Sequence, residues 1–291
     1  MKKALLIIGI VVVILVVAAV VLYCSVYRLA NKPPDNNPAV YISEVMPESD
    51  LPSLICAGDS ITHGRVSHNY VDILAERFAG EVDVVNAGIN GELAWNVLMR
   101  SDEIIACDPE FITILIGTND ANGSLDEVKA QAQIKEMGLP QAATKEWYRE
   151  NLVELCEKLI AYTDAEIALL SLPPINEDTD DEAYARAMEY SLVIEEVADE
   201  LDLTYLPLNE TMDGYLREAG GEPKITYDDQ MKVMYIGIAK HFVLKQGFEK
   251  IANANGCSLI TDTLHLSETG ANIVADLIDE FVRGYIPEAS E

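Results

Sequence analysis

Positive charge is what this chain has least of. Twenty Lys and Arg residues face 49 Asp and Glu, for a net charge of −29. Phosphate backbones are bound by Lys and Arg that release counterions, so non-specific nucleic-acid binding is excluded. The same field repels anionic headgroups, so any membrane attachment has to come from insertion of apolar segments. The acidic excess reads as a soluble, self-repelling surface, with a cationic substrate or a salty habitat as the alternatives.

Cysteine and histidine are also scarce. Five cysteines (Cys24, Cys56, Cys107, Cys156 and Cys257) are scattered, with no Cys-x-x-Cys pair. That favours buried free thiols over a disulfide framework and argues against a metal cluster. Only four histidines exist: His63, His68, His241 and His265. Any chemistry that needs an imidazole therefore has few candidates. Long repeats and low-complexity tracts are missing. Hydrophobic residues make up 49% of the chain, enough for a sizeable core.

One stretch lacks charge altogether, from Ala4 to Cys24 after Met1-Lys2-Lys3. At about 1.5 Å per residue it reaches about 30 Å, the thickness of a bilayer's hydrocarbon core. A cleaved secretory signal has a shorter apolar core and a small-x-small site, whereas this run ends in Leu22-Tyr23-Cys24. Tyr23 before Cys24 also fits a lipoprotein signal poorly. The expectation is an uncleaved signal anchor at 4–24 with a cytoplasmic tail at 1–3 and the catalytic bulk outside the cell membrane. Arg28 and Lys32 just beyond the run weaken that orientation. Residues 25–50 carry Pro33, Pro34, Pro38 and Pro47 and are expected to form a partly extended tether.

From Leu51 on, short apolar runs alternate with amphipathic stretches. Strands are predicted at Leu54–Cys56, Val82–Val85, Phe111–Ile116, Ile167–Leu170 and Thr204–Leu206. Helices are predicted at Asn69–Phe78, Leu93–Ile105, Lys145–Tyr162, Glu182–Leu201 and Glu268–Arg283. This alternation signals βαβ units and a parallel sheet covered on both faces. A single α/β domain at 51–286, with a short tail at 287–291, fits the uninterrupted pattern. Two stretches look added to a minimal fold: 121–144, and about 214–256 with one apolar, basic helix candidate at 231–256.

Ligands of such sheets bind beyond the carboxyl ends of the strands. The first strand runs into Gly58-Asp59-Ser60-Ile61-Thr62, which places a serine at a strand end ahead of a helix whose free N–H groups suit an oxyanion. A simple helix cap is the plainer reading. The second strand leads to Asn86-Ala87-Gly88-Ile89-Asn90-Gly91, and the third to Gly117-Thr118-Asn119-Asp120; both are equally ordinary turn chemistry. Near the C-terminus stands Asp262-Thr263-Leu264-His265. A serine hydroxyl needs a base, imidazole suits that role near neutral pH, and a carboxylate orients the imidazole.

Together and in this order the four blocks resemble the SGNH hydrolase superfamily, the GDSL-type lipases and esterases, whose Ser, Gly, Asn and His blocks are matched by Ser60, Gly91, Asn119 and His265. The resemblance spans about Leu54 to Ile286. It implies a flavodoxin-like three-layer α/β/α sandwich with a five-stranded parallel sheet, preceded here by one transmembrane helix. It implies a serine hydrolase acting on carboxylic esters through an acyl-enzyme, with Ser60 as nucleophile, His265 as base and Asp262 orienting it. The N–H of Ser60, the N–H of Gly91 and the Asn119 side chain would form the oxyanion hole. No metal and no organic cofactor is implied. His63 and His68 are rival bases ranked below His265, and His241 reads as a surface or packing residue.

The substrate that the resemblance implies is an acyl ester of a small molecule, lipid or glycan. Alternative activities are an O-acyltransferase or an O-acetyl deacetylase acting on cell-surface glycans, and, ranked last, a non-catalytic binding domain. The Leu172-Pro173-Pro174-Ile175 loop is a candidate pocket wall. Oligomeric state has no signature in the sequence.

Overall fold

Strand β1 (Ser53–Gly58) is buried at every position, as an apolar run covered on both faces has to be. It is flanked by β2 (Asp83–Gly88) and β3 (Phe111–Leu115), and β4 (Glu166–Leu170) and β5 (Thr204–Leu206) extend the sheet. All pairings are parallel, in the order β2-β1-β3-β4-β5. This is the flavodoxin-like order, in which the chain reverses direction across the sheet between β1 and β3. Gly58 pairs with both Gly88 and Leu115, so the loops after β1, β2 and β3 leave the sheet at one level. The computed structural model describes residues 2–286; Met1 and the tail at 287–291 lie outside the described residues.

Side chains alternate across the sheet. Ile55, Ala57, Ile112 and Ile114 face one apolar cluster, while Leu54 and Cys56 face the other. Helices cover both. The chain enters through α1 (Lys2–Ala30), a short turn α2 (Pro38–Val40) and a π-helical turn at Tyr41–Val45. Between β1 and β2 lie α3 (Ser60–His63) and α4 (Tyr70–Arg77); between β2 and β3, α5 (Ala94–Met99) and α6 (Ser101–Ile105). The β3–β4 connection holds α7 (Thr118–Gly123), α8 (Glu127–Met137) and α9 (Lys145–Tyr162), and α10 (Glu182–Leu201) leads to β5. The chain closes with α11 (Leu208–Ala219), α12 (Gln230–Phe242), α13 (Phe248–Ala254) and α14 (Glu268–Arg283). Side-chain caps fix several starts: Thr144 for α9, Asp181 for α10 and Ser267 for α14.

Local structure departs from the sequence expectations in four places. The helix expected at Leu93–Ile105 breaks at Arg100 (φ −110°, ψ 11°), whose guanidinium is drawn to the Glu92 carboxylate and the Ala87 carbonyl, each at 2.7 Å. The helix expected at 231–256 splits into α12 and α13, because Lys245 adopts φ +55° ahead of Gly247. The Leu172–Ile175 loop is not an open pocket wall: Leu172 and Ile175 are fully buried in the core, beneath Ala187 and Tyr190 of α10.

The fourth departure is the segment 25–50, which is not an extended tether. Helix α1 continues to Ala30, and Tyr41 buries its ring in the core. Asn36 accepts from Asn86 N–H at 3.0 Å and donates to the Val84 carbonyl at 2.9 Å. The reason is the sheet edge: β2 is an outer strand, and its free backbone row needs partners. Asn90 Nδ2 also donates to the Ala30 carbonyl at 2.9 Å, tying the end of α1 to the loop after β2.

Candidate active site

Three loops at the carboxyl end of the sheet and one loop from the far end of the chain converge on Ser60. The nucleophile candidate opens α3, with Asp59 as the cap accepting from Ile61 N–H at 2.9 Å. The helix is one turn long and ends at Gly64 in the left-handed region. It therefore offers individual N–H groups, not the summed dipole of a long helix.

His265 brings Nε2 to 3.0 Å from Ser60 Oγ, across 205 residues of sequence. Its Nδ1 lies 2.8 Å from Asp262 Oδ2. The other Asp262 oxygen accepts from the Leu264 and His265 backbone N–H groups at 2.7 and 2.9 Å, so the carboxylate is locked by its own turn. Asp262 and His265 are both buried. Burial alone would push the imidazolium pKa down, but the charge and hydrogen bond of Asp262, helped by Asp59, hold His265 above its usual value. Burial likewise opposes the charge of Asp262, which His265 and the two backbone donors nonetheless hold below the usual carboxylate range.

The loop that carries this pair has its own support. Glu177, buried just after the Leu172–Ile175 loop, accepts from Ser258, Leu259 and Ile260 N–H groups at 2.7–3.0 Å. Asn176 N–H donates to the Thr263 carbonyl at 2.9 Å. From the nucleophile side, Ser67 Oγ accepts from Leu266 N–H at 2.9 Å, and His68 N–H donates to the Leu266 carbonyl at 3.0 Å. None of Glu177, Asn176 and Ser67 stands out in the sequence. Their roles come from partners far along the chain, and the one available hint is an acidic residue set directly after an apolar loop.

Asn119 sits at the start of α7. Its side-chain amide donates to Asp59 Oδ2 at 3.1 Å and to the Glu92 carbonyl at 2.9 Å, which links the blocks after β1, β2 and β3. Gly117 makes that turn with φ +126°, and a Cβ there would lie 2.6 Å from the Tyr148 hydroxyl. Gly91 takes φ +80° beside Met137, and among the described residues its N–H meets no backbone or side-chain acceptor. Beneath these groups lie two buried carboxyls. Burial raises Asp59 and Asp120 to about 7 each, against a lowering contribution from backbone donors.

Among the described residues neither rival histidine bonds Ser60 Oγ: His68 lies beside the His265 loop, held by its backbone N–H on the Leu266 carbonyl at 3.0 Å. His63 is buried, with burial lowering its pKa to about 4, and lines a cavity of about 270 Å³ beneath the 31–39 segment. His241 stacks on Phe248 with ring centroids 4.1 Å apart. A larger cavity, about 430 Å³, lies among α8, the start of α10 and residues 226–231. It contains neither Ser60 nor His265, but both added stretches line it. All five cysteines are free thiols, four of them buried.

Residues 56–273 match the GDSL-like lipase/acylhydrolase family. The chain belongs to that family. The chain is also similar to the uncharacterized lipoprotein YqeF of Bacillus subtilis strain 168, 28% identical over 131 residues. That alignment covers 42% of this chain and 49% of the relative, so it spans about half the relative's length. Among solved structures, a lipase/acylhydrolase from Enterococcus faecalis superposes with a TM-score of 0.56 at 22% identity, covering 83% of this chain and all of the other. An acetyl xylan esterase from Geobacillus stearothermophilus gives 0.57 at 18% identity, covering 82% and 97%. At such identities these two likenesses speak for the fold.

Proposed function

We propose that this GDSL-family hydrolase works through a Ser60 acyl-enzyme. Ser60 Oγ attacks the ester carbonyl carbon while its proton passes to His265 Nε2. The carbonyl oxygen becomes an oxyanion beside the N–H groups of Ser60 and Gly91 and the Asn119 amide. Collapse expels the alcohol, which takes the proton from His265, and leaves the acyl group on Ser60. Water then attacks the acyl-enzyme, again giving its proton to His265, and the acid departs as Ser60 recovers its proton. Asp262 holds the imidazole in the tautomer with Nδ1–H and stabilises the imidazolium. The observation that carries this reading is the 3.0 Å contact between Ser60 Oγ and His265 Nε2.

The test is Ser60→Ala assayed on a short p-nitrophenyl ester and with a fluorophosphonate probe. Turnover and labelling should both vanish. Esterase activity that survives in this variant would refute the assignment.

The membrane anchor is part of the same reading. Ile10–Ala30 is apolar and long enough to cross a bilayer, with mean hydropathy 2.9, and no residue from 10 to 25 is even partly buried. The hydrolase domain then faces outward. A second reading of the substrate has one observation in its favour, since two of the solved structures with this fold are acetyl xylan esterases. On that reading the enzyme removes O-acetyl groups from cell-surface glycans. Comparing acetyl, butyryl and long-chain esters separates the two, because an acetyl-only preference supports the glycan reading.

A further inference from the structure

Helix α12 is built of apolar residues that the protein does not bury. Of its thirteen residues only Gln230 is buried, while Met231, Tyr235 and Ile236 are about half exposed, as are Val243 and Leu244 just beyond it. Scattered apolar residues on a surface are ordinary, but a helix with an apolar outer face and no buried apolar residue marks a contact surface.

Its position says with what. α12 packs against α1. Among the described residues of α1, only Val26 and Ala30 are less than exposed, so the contact lies where α1 leaves its apolar stretch. The local charge reverses the character of the chain. Residues 228–250 hold four lysines against three acids, and with Lys232 paired to Asp229 at 3.2 Å the lysines left for a partner are Lys240, Lys245 and Lys250, within a protein of net charge −29. Apolar residues mixed with lysines beside the end of an apolar span match a segment lying in the headgroup boundary of a bilayer.

The helix is also pinned at both ends. Tyr227 and Gln230 bond the Asn122 side chain at 2.5 and 3.2 Å, and His241 stacks on Phe248 of α13. Asn122 belongs to α7, the helix that carries Asn119. The start of α12 is thus bonded to the helix that carries Asn119.

We propose that α12 lies in the interfacial layer of the bilayer that α1 crosses, its outer face of Met231, Tyr235 and Ile236 against lipid and Lys240 and Lys245 near the phosphates. The proposal rests on the anchor reading of α1. It sets the active-site mouth at the membrane surface instead of at the end of a free tether.

The full chain in phosphatidylcholine–phosphatidylglycerol vesicles tests it. A Cys24→Ser background carries one environment-sensitive fluorophore on a new cysteine at Tyr235→Cys, Val16→Cys or Glu196→Cys. The expected depth of the α12 probe is about 5–10 Å below the headgroups. Lipid doxylated near the headgroup should quench the Tyr235 probe several-fold more than the probe at Glu196, on the exposed face of α10, and iodide should quench it several-fold less. Deeply doxylated lipid should quench the Val16 probe. A Val16 probe in lipid with a Tyr235 probe open to iodide overturns the α12 proposal alone. Shielding of Tyr235 from iodide without quenching by doxyl lipid overturns it in favour of a second protein chain. Both probes in water overturn the anchor, and the proposal with it.

Discussion

Asn119 donates its side-chain amide to Asp59, Nδ2 to Oδ2 at 3.1 Å, and to the Glu92 carbonyl at 2.9 Å. An amide nitrogen has two protons, so both are engaged in the resting site. In the proposed mechanism the oxyanion has to draw one of these bonds toward itself. The competing acceptor, Asp59, is a carboxyl that burial raises to about 7, which limits its negative charge next to the oxyanion. Asn119 is thus held in place before substrate arrives.

Removing that amide should cost rate and spare binding. Asn119→Ala is expected to lower kcat by roughly 10²–10³ with KM little changed, the scale of one oxyanion donor. Steady-state kinetics on a short ester provide the check. A loss under about tenfold would remove Asn119 from the oxyanion hole.

The pH profile should report the Asp262–His265 pair. His265 is held above the usual imidazole value of 6.5, so on acidification it takes up its proton early and stops acting as a base. The acid limb of kcat/KM should therefore fall above pH 6.5. Asp262→Asn removes the charge that raises the imidazole, so the limb should move to lower pH while kcat drops by about 10⁴. A limb that stays put in the variant would mean that some other group titrates.

Glu177 should matter although it touches no substrate. Glu177→Ala removes the carboxylate that accepts from the Ser258, Leu259 and Ile260 backbone donors. A buried donor left unpaired costs about 1–3 kcal/mol. Each kcal/mol lowers Tm by about 2–4 °C in a domain of this size. A Tm loss of several degrees, with kcat reduced and KM kept, is the expected pattern. Unchanged melting and kcat would show that the loop holds itself.

Asp120 gives a stability prediction with a definite sign. Its folded pKa is about 7 against an ordinary 3.8, so between these values the native state holds more protons than the unfolded chain. Stability then falls as pH rises through that window, with a gap of about three units worth on the order of 4 kcal/mol. Asp120→Asn cannot ionise and should melt higher than the wild type at pH 8, with no such advantage at pH 4. Thermal melts at the two pH values decide it.

The sequence made the sheet and the four loop blocks at its carboxyl end legible because both depend on local pattern. Continuous apolar runs gave the five strands, and amphipathic stretches gave α9, α10 and α14 with their observed bounds. Asp262 and His265 share one loop, so their pairing was readable as well. What stayed hidden depends on partners distant in sequence. The proline-rich stretch before β1 gave no sign that Asn36 would bond the edge of β2, nor that Tyr41 would enter the core. The 231–256 run read as one helix because the positive φ of Lys245 has no residue signature.

Ser60 and His265 come from opposite ends of the domain, while the imidazole and its carboxylate come from a single turn. The proposed centre thus depends on the docking of the C-terminal loop, which Glu177 and Ser67 also hold across long stretches of sequence. Under the proposed mechanism hydrolysis is therefore a reporter of that docking: a chain with α14 displaced would keep the Asp262–His265 pair, lose the Ser60 contact and show no activity.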